Sequence, residues 1–310
     1  MGLARQLLLH GSRNRWLARR LPRRRFVRRA VRRFMPGEEL SDATGAAARL
    51  GERGFGTIFT LLGENVTSGD EARGVADQYV AAVEAIEAED LDTGLSVKPT
   101  HLGLDIGPEV AAANLDSLLG RAGTADRDVA LDMEATPYVD PTLELYRRLR
   151  PRHPRAGICL QAYLYRTADD LESLLPLSPA IRLVKGAYAE PPGLAWPRKS
   201  DVDESYLRLA TRMLEARRGD EAMQPAFGTH DERLIDEIRA RAESLGIPAG
   251  AVEFQLLYGI RRELQERLLA AGHRVRILIS YGPHWFPWYM RRLAERPANV
   301  GFVLRSLFRN

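Results

Sequence analysis

The feature that most constrains the fold of this chain is a pattern that repeats eight times from about residue 54. A short apolar run ends in polar or glycine residues, and an amphipathic stretch rich in Arg, Glu and Ala follows it. Such runs are typical of strands, and the amphipathic stretches are typical of helices. The predicted strands are 55–61, 94–98, 129–133, 157–162, 181–185, 224–228, 252–256 and 275–280.

Regular alternation of strands and helices indicates parallel strand pairing with right-handed crossovers. Eight such units in about 255 residues match a TIM-like (β/α)8 barrel in number and size. An open doubly wound sheet is the alternative, but no Gly-x-Gly-x-x-Gly motif opens the first strand–helix unit. The predicted fold is therefore α/β, with a basic helical arm over 1–40 and a (β/α)8 barrel over 41–310.

The arm carries most of the asymmetry in charge. Residues 1–35 contain twelve arginines and no acidic residue, so the net charge of +4 leaves −8 on the rest of the chain. The arm has no apolar run long enough for a membrane span or a secretory signal. It fits a helix on an anionic membrane surface, a mitochondrial transit peptide or simply an Arg-rich terminal helix. Nucleic acid is not expected, because few aromatic residues interleave with the arginines.

Several classes of chemistry lack their expected residues. The one cysteine, Cys159, excludes a disulfide framework and a Cys-rich metal site. No nucleophile elbow, Walker A loop or His-Glu-x-x-His motif occurs, which argues against hydrolase and kinase chemistry. We therefore expect a site that contains no metal.

Nearly every predicted strand ends in a side chain that can donate a hydrogen bond, accept one or carry charge. Because the carboxyl ends of barrel strands surround one site, these residues are expected to converge. They are Glu64, Lys98, Asp132, Glu134, Gln161, Arg182, Lys185, Thr229, His230, Asp231, Glu253, Gln255, Ser280 and Tyr281. The convergence predicts a ligand site at this end of the barrel.

Three of these strand ends suggest particular chemistry. Lys98, one of three lysines, is either a point charge for a carboxylate or phosphate or an exposed strand-end residue. Asp132 and Glu134 fit a metal pair, or one solvated acid and one site acid. Arg182 and Lys185 fall on opposite faces of their strand, which predicts one cation inside the barrel and one capping it.

The segment Gly-Thr-His-Asp at 228–231 combines a small turn, a hydroxyl, an imidazole and a helix N-cap. That combination suits phosphate or flavin contact at a helix N-terminus. Asp203 is predicted to begin the preceding helix. Gly186, directly after Lys185, allows backbone to approach a ligand closely.

Seven motifs, in order, resemble the proline dehydrogenase family. They are L-G-E-N-V (62–66), S-V-K-P-T-H-L-G-L (96–104), Q-A-Y (161–163), R-L-V-K-G-A-Y (182–188), F-G-T-H-D (227–231), E-F-Q-L-L-Y-G-I (253–260) and R-R-L-A-E-R (291–296). The resemblance covers residues 34–303. It implies a (β/α)8 flavoprotein whose FAD accepts a hydride from L-proline at flavin N5, giving Δ1-pyrroline-5-carboxylate. It also implies membrane quinone as electron acceptor. The expected location is the cytoplasm, at the inner membrane surface, with the mitochondrion as the alternative.

The resemblance also implies roles for individual residues. The implied FAD-binding residues are Gln161, Arg182, Val184, Lys185, Gly186, Thr229, His230 and Glu295. Among them, Gln161 and Arg182 resemble contacts to the flavin ring, and Glu295 resembles a ribityl or ribose contact. The implied substrate residues are Lys98, Arg291 and Arg292 as a carboxylate clamp, Asp132 ordering it, Tyr188 and Leu257 as pocket walls, and Glu64 as a gate acid that pairs with Arg291.

Two positions depart from the family pattern. Leu278 and Trp288 stand where the family usually has pocket tyrosines, whereas the carboxylate clamp is intact. The substrate is therefore expected to be L-proline or a related cyclic or N-alkyl amino acid. A non-catalytic, membrane-associated barrel that keeps the fold is the remaining alternative.

Overall fold

The computed structural model describes residues 31–285. Within this range eight parallel strands form a closed barrel, in which each strand pairs with the next and β8 pairs with β1. The strands are β1 (Gly56–Leu61), β2 (Thr93–Val97), β3 (Val129–Leu131), β4 (Ala156–Gln161), β5 (Ala180–Val184), β6 (Gln224–Gly228), β7 (Glu253–Leu257) and β8 (Arg274–Tyr281). The predicted (β/α)8 fold is confirmed.

Helices surround the barrel, with one before β1 and one in each connection between consecutive strands. They are α1 (Leu40–Gly51), α2 (Gly69–Ala88), α3 (Pro108–Thr124), α4 (Val139–Leu149), α5 (Thr167–Leu174), α6 (Lys199–Gly219), α7 (Glu232–Ser244) and α8 (Arg262–Ala270). None of these helices is both long and apolar enough to cross a membrane.

The apolar core lies between the strands and the inner faces of the helices. Leu115, Leu118 and Leu119 on α3 are fully buried there, as is Tyr79 on α2. The Tyr79 hydroxyl donates to the Ser96 carbonyl at 3.2 Å and accepts from the Leu61 amide at 3.2 Å. Burial raises the pKa of Tyr79, so the phenol stays neutral and bridges β1 and β2.

The segment before α1 packs on the barrel near the carboxyl ends of its strands. Val31, Phe34 and Met35 are buried. Gly259, after β7, has φ +71°, and a Cβ atom there would lie 1.7 Å from the Arg33 carbonyl oxygen, so only glycine fits. The rest of the predicted arm, residues 1–30, lies outside the described residues.

Candidate functional site

The carboxyl ends of all eight strands surround a cavity of about 670 Å³. This volume is in the range of small-molecule sites. The predicted site residues that line it are Lys98, Asp132, Gln161, Arg182, Val184, Lys185, Gly186, Tyr188, Thr229, His230 and Leu257. Leu278 lines the same cavity. The structure therefore brings residues from strands far apart in the sequence to one place.

A buried arginine lies at the floor of the cavity. The Arg182 side chain on β5 is 6% exposed. Its Nη1 donates to Gln255 Oε1 at 3.2 Å, and its Nη2 donates to Ser96 Oγ at 2.9 Å and to Asp132 Oδ1. Burial by itself would lower the pKa of Arg182, but Asp132, Cys159 and Glu253 together outweigh burial and raise it. A permanent positive charge is thus held inside the barrel, as the strand alternation predicts.

On one side of Arg182, Lys98 carries the second positive charge of the cavity. Its Nζ donates to Glu64 Oε2 at 2.8 Å and to the Gly63 carbonyl at 3.4 Å. The two side chains are only partly covered, with 18% of Lys98 and 29% of Glu64 exposed. The predicted gate acid thus pairs with Lys98, whereas its predicted partner Arg291 lies outside the described residues.

The loop that carries Glu64 is docked on the loop after β2. The Asn65 amide donates to Thr100 Oγ1 at 3.1 Å. Thr100 in turn donates to Glu134, through its amide to Oε1 at 3.0 Å and through its hydroxyl to Oε2 at 2.7 Å. The loops after β1, β2 and β3 are therefore connected through Thr100.

Glu134 is the acid at the base of this connection. It is 3% exposed, so Glu134 is not the solvated acid that was expected between Asp132 and Glu134. β3 ends at Leu131, so both acids lie in the loop after it and Glu134 folds inward onto Thr100. Burial raises the pKa of Glu134 to about 6, partly offset by the hydrogen bonds from Thr100.

Asp132 and Glu134 do not form a metal pair. Asp132 accepts from Ser96 Oγ at 2.8 Å and from Arg182, whereas Glu134 accepts from Thr100. Among residues 31–285, no group of three or more His, Cys, Asp or Glu side chains could hold a metal ion.

His101 adds no charge next to Lys98. Burial and the charge of Lys98 lower the pKa of His101 to about 4, so its imidazole is neutral at neutral pH. The ring fills the space over Gly63, where a Cβ atom would lie 2.1 Å from His101 Nε2. Glycine at this position therefore lets the Glu64 loop sit close to the loop after β2.

On the other side of Arg182 lies a cluster of three cations and two carboxylates. Lys185 Nζ donates to Asp203 Oδ1 at 2.5 Å and to Asp231 Oδ2 at 2.9 Å. Lys199 Nζ donates to Asp203 Oδ2 at 2.5 Å and to Asp231 Oδ2 at 3.3 Å. Arg233 Nη2 also donates to Asp203 Oδ2, at 3.2 Å. The cluster keeps one net positive charge at the cavity edge.

The two carboxylates of this cluster are strongly held. Burial by itself would raise the pKa of Asp231, but Lys185 and Lys199 lower it to about 2, and the same lysines lower the pKa of Asp203. Asp203 was expected to begin its helix. That expectation is wrong, because α6 begins at Lys199 and Asp203 is a buried helical residue directed at the lysines. Asp231 is the N-cap residue of α7, as predicted, but its carboxylate binds the lysines.

Backbone geometry brings the strand ends close together near this cluster. Gly186 has φ +118°, and a Cβ atom there would lie 2.3 Å from the Tyr163 ring, so a larger residue does not fit. His230 Nε2 accepts from the Leu257 amide at 3.1 Å, which assigns the proton of a neutral imidazole to Nδ1. Thr229 Oγ1 accepts from the Asp231 amide at 3.2 Å.

The remaining predicted residues form the walls of the cavity. Gln161 is 2% exposed, and its Nε2 donates to the Glu134 carbonyl at 2.8 Å. Val184, Tyr188, Leu257 and Leu278 contribute apolar surface. Arg291, Arg292, Glu295 and Trp288 lie outside the described residues, and their predicted roles stay predictions.

Several cavity residues were not predicted as site residues. They are Phe34, Thr60, Leu62, Met133, Cys159, Lys199, Ile260 and Arg261, whereas Asp231, Gln255 and Ser280 also line the cavity and were among the strand-end residues expected to converge there. Lysine scarcity is a signal that could have found Lys199, since the three lysines of the chain all line this cavity. For the apolar residues no such signal exists, because an inward-facing strand residue near the cavity has the same sequence pattern as one in the core.

The arrangement suits a large ligand with a polar ring system and an anionic tail. The guanidinium on the floor can donate to ring acceptors or offset negative charge that develops on them. The lysine cluster offers a point charge for phosphate, and Lys98 offers one for a carboxylate.

Comparison with known proteins gives a consistent result. The family model described as "Proline dehydrogenase" matches residues 43–305. Proline dehydrogenase 1 of Bacillus subtilis subsp. natto is 38% identical over 283 residues, which cover 91% of this chain and 92% of the relative. The proline dehydrogenase of Deinococcus radiodurans is 37% identical and covers 89% of each chain. Among solved structures, proline utilization A from Bdellovibrio bacteriovorus inactivated by N-propargylglycine has a similar fold. Its TM-score is 0.81 at 24% identity over 94% of this chain and 36% of that chain.

Replacing Glu134 by Gln tests the buried acid. Because its pKa rises from 4.5 to about 6 on folding, the native state holds this proton more tightly. The free energy of unfolding of the parent therefore falls as pH rises from about 4.5 to 6, and it stays at the lower value above that pH. Glutamine does not ionise, so the Glu134→Gln variant does not lose this stability. The difference in free energy of unfolding, variant minus parent, should therefore rise by about 1–2 kcal/mol between pH 4.5 and pH 7.

Urea unfolding followed by circular dichroism at the two pH values measures this difference. Glu84→Gln, at an exposed position on α2, is the matched control and should run parallel to the parent. A Glu134→Gln curve that also runs parallel to the parent would contradict the raised pKa.

Proposed function

The chain belongs to the proline dehydrogenase family, and from that premise we propose that it oxidises L-proline to Δ1-pyrroline-5-carboxylate with bound FAD and passes the electrons to membrane quinone. The reaction makes it an oxidoreductase of proline degradation. The observation that carries the proposal is the buried Arg182, which lines one cavity together with Lys98 at the end of β2 and Lys185 at the end of β5. These three charges match a flavin ring beside Arg182, the FAD phosphates near Lys185 and the carboxylate of proline near Lys98.

The residues present fit FAD. The cavity extends from Arg182 and Gln161 to the cation cluster, and the Gly186 conformation leaves backbone in place of a side chain along it. Arg182, Gln161 and Val184 would contact the ring, whereas Lys185, Gly186, Thr229 and His230 would hold the ribityl-pyrophosphate portion. When bound, FAD supplies the two-electron acceptor that takes a hydride from proline C5 at flavin N5. Arg182 would stabilise the negative charge that this transfer adds to the ring.

The substrate would bind through its carboxylate. Lys98, together with Arg291 and Arg292, would hold that group by charge-assisted hydrogen bonds. Asp132 would help orient this end of the cavity, Tyr188 and Leu257 would enclose the proline ring, and Glu64 would act as gate. Burial together with the positive charges of Lys98 and Arg182 disfavours a cationic amine, so proline would react as the neutral amine. Its nitrogen lone pair then forms the C5=N bond as the hydride leaves, and the N–H proton is lost to solvent.

An anaerobic titration of the purified protein with L-proline tests the proposal. We expect flavin absorption bands in the visible spectrum, and we expect them to bleach as proline is added. Bands that persist with proline but bleach with another cyclic or N-alkyl amino acid would favour an altered substrate, which Leu278 in the cavity wall supports. A protein purified without flavin and unable to rebind FAD would instead favour a non-catalytic barrel.

Two lysine variants separate substrate binding from cofactor binding. Lys98→Met removes a charge from the substrate carboxylate, so the KM for L-proline should rise roughly 10- to 100-fold while flavin content stays at the parent level. Lys185→Met removes the pyrophosphate charge, so flavin should be lost on gel filtration. Steady-state kinetics and the flavin-to-protein absorbance ratio measure the two effects. Equal flavin loss in both variants would contradict this division of roles.

The basic arm is proposed to hold the enzyme at the cytoplasmic face of the inner membrane, where quinone is available. A mitochondrial location is the alternative. Residues 1–35 carry the charge that supports this proposal. Deleting residues 1–30 should lower binding to phosphatidylglycerol vesicles several-fold and remove its sensitivity to salt, whereas neutral phosphatidylcholine vesicles should bind both forms weakly. Sedimentation with the vesicles measures the bound fraction, and equal binding of both forms would contradict the proposal.

A further inference from the structure

A line of hydrogen-bonded polar side chains runs through the interior of the barrel below the cavity. Barrel interiors are usually filled by branched apolar side chains instead. Glu253 and Gln255 are two residues apart on β7 and therefore face the same side of the strand. Arg276 on β8 meets Glu253, and Gln255 meets Arg182. The line connects the floor of the cavity to the opposite end of the barrel, where Arg276 Nη2 pairs with Asp92 Oδ1 at 2.9 Å.

Gln255 is the neutral link in this line, and its amide can be oriented in one way only. Nε2 donates to Glu253 Oε1 at 2.7 Å, and Oε1 accepts from Arg182 Nη1 at 3.2 Å. A carboxylate accepts hydrogen bonds and a guanidinium donates them, so a flipped amide would lose both bonds. Glu253 therefore determines that a carbonyl oxygen faces Arg182.

Glu253 is itself held from the far side. Its Oε2 accepts from Arg276 Nε at 3.2 Å and pairs with Arg274 Nη2 at 3.2 Å. The carboxylate is 13% exposed, and Arg276 is 12% exposed. A carboxylate fixed by two guanidinium groups is a firm support for the Gln255 amide.

Arg182 is therefore held from two directions. Asp132 and Ser96 bind its Nη2, and Gln255 binds its Nη1. Asp132 and Ser96 belong to the substrate half of the barrel, whereas Gln255 approaches from β7. Removing the Gln255 contact would leave Nη1 without this acceptor and would let the guanidinium turn toward Asp132.

We propose that Gln255 is a positioning residue, oriented by Glu253, which holds the Arg182 guanidinium against the flavin and thereby tunes how readily the flavin is reduced. The inference rests on the proposed function. Reduction adds negative charge to the flavin ring, and a guanidinium that is held nearby stabilises that charge. If the Arg182 guanidinium moves away from the flavin, or if a nearby negative charge offsets it, reduction of the flavin should therefore become less favourable.

Two substitutions of Gln255 test the proposal. Gln255→Met removes the carbonyl and keeps the side-chain length. Gln255→Glu is nearly isosteric, keeps an acceptor for Arg182 and adds a negative charge below the flavin. Both should shift the flavin midpoint potential to more negative values, by about 30 mV if reduction becomes tenfold less favourable in this two-electron couple. The flavin reduction rate at saturating proline should fall about tenfold, whereas the proline concentration for half-maximal rate should change less than twofold.

Gln265→Met is the matched control. Gln265 on α8 is also buried, and its Nε2 donates to the Leu257 carbonyl at 3.1 Å and to the Ile260 carbonyl at 2.9 Å, away from Arg182. It should lower thermal stability without shifting the midpoint potential.

The outcomes separate the two proposals. A parent protein that binds no flavin, or whose flavin proline does not reduce, contradicts the proposed function, and the inference falls with it. A parent that is reduced by proline, with unchanged potential and rate in folded, flavin-loaded Gln255→Met and Gln255→Glu, overturns the inference alone. An equal shift in Gln265→Met would also overturn it, because a purely structural effect would then account for the change.

Discussion

A guanidinium buried inside the barrel is the interaction on which the rest of this structure depends. Moving a charge out of water costs several kcal/mol unless close partners compensate for it. Arg182 finds its partners on β2, after β3 and on β7, at sequence separations of 86, 50 and 73 residues. These partners meet only when the barrel is closed and its strands are in register. The contacts that make the buried charge tolerable are therefore the same contacts that form the floor of the cavity.

The cations on either side of Arg182 are held in different ways, and the difference matches their proposed roles. Lys98 pairs with a carboxylate on a loop, and both side chains remain partly exposed. A ligand carboxylate can therefore take a place beside Lys98 without breaking a buried ion pair. Lys185 is shared by two carboxylates, one of them buried in α6. That arrangement fixes a point charge and suits a tightly bound group more than one that is exchanged in each cycle.

The sequence predicts the architecture well because the relevant signals are local. Apolar runs of five to seven residues, ended by polar residues and separated by amphipathic stretches, are visible without knowing any contact. The same reasoning predicts that one of Arg182 and Lys185 lies inside the barrel, since side chains alternate along a strand, and the structure shows that it is Arg182. It fails for Asp203, which was expected to begin a helix, and it does not decide which of Asp132 and Glu134 is the solvated acid. Asp203 and Glu134 are both buried by contacts with segments distant in the sequence.

The sequence by itself determined the eight strand–helix units, the end of the barrel at which the polar residues gather, and the family to which the chain belongs. Those properties follow from periodicity, from the residue at each strand end and from ordered motifs. Only the tertiary structure decided which charge meets which: Glu64 with Lys98, Asp203 with Lys185, and Gln255 between Glu253 and Arg182. The physical reason is that each pair joins elements that are remote along the chain. The energy of a buried ion pair depends on a geometry that exists only after the barrel has closed.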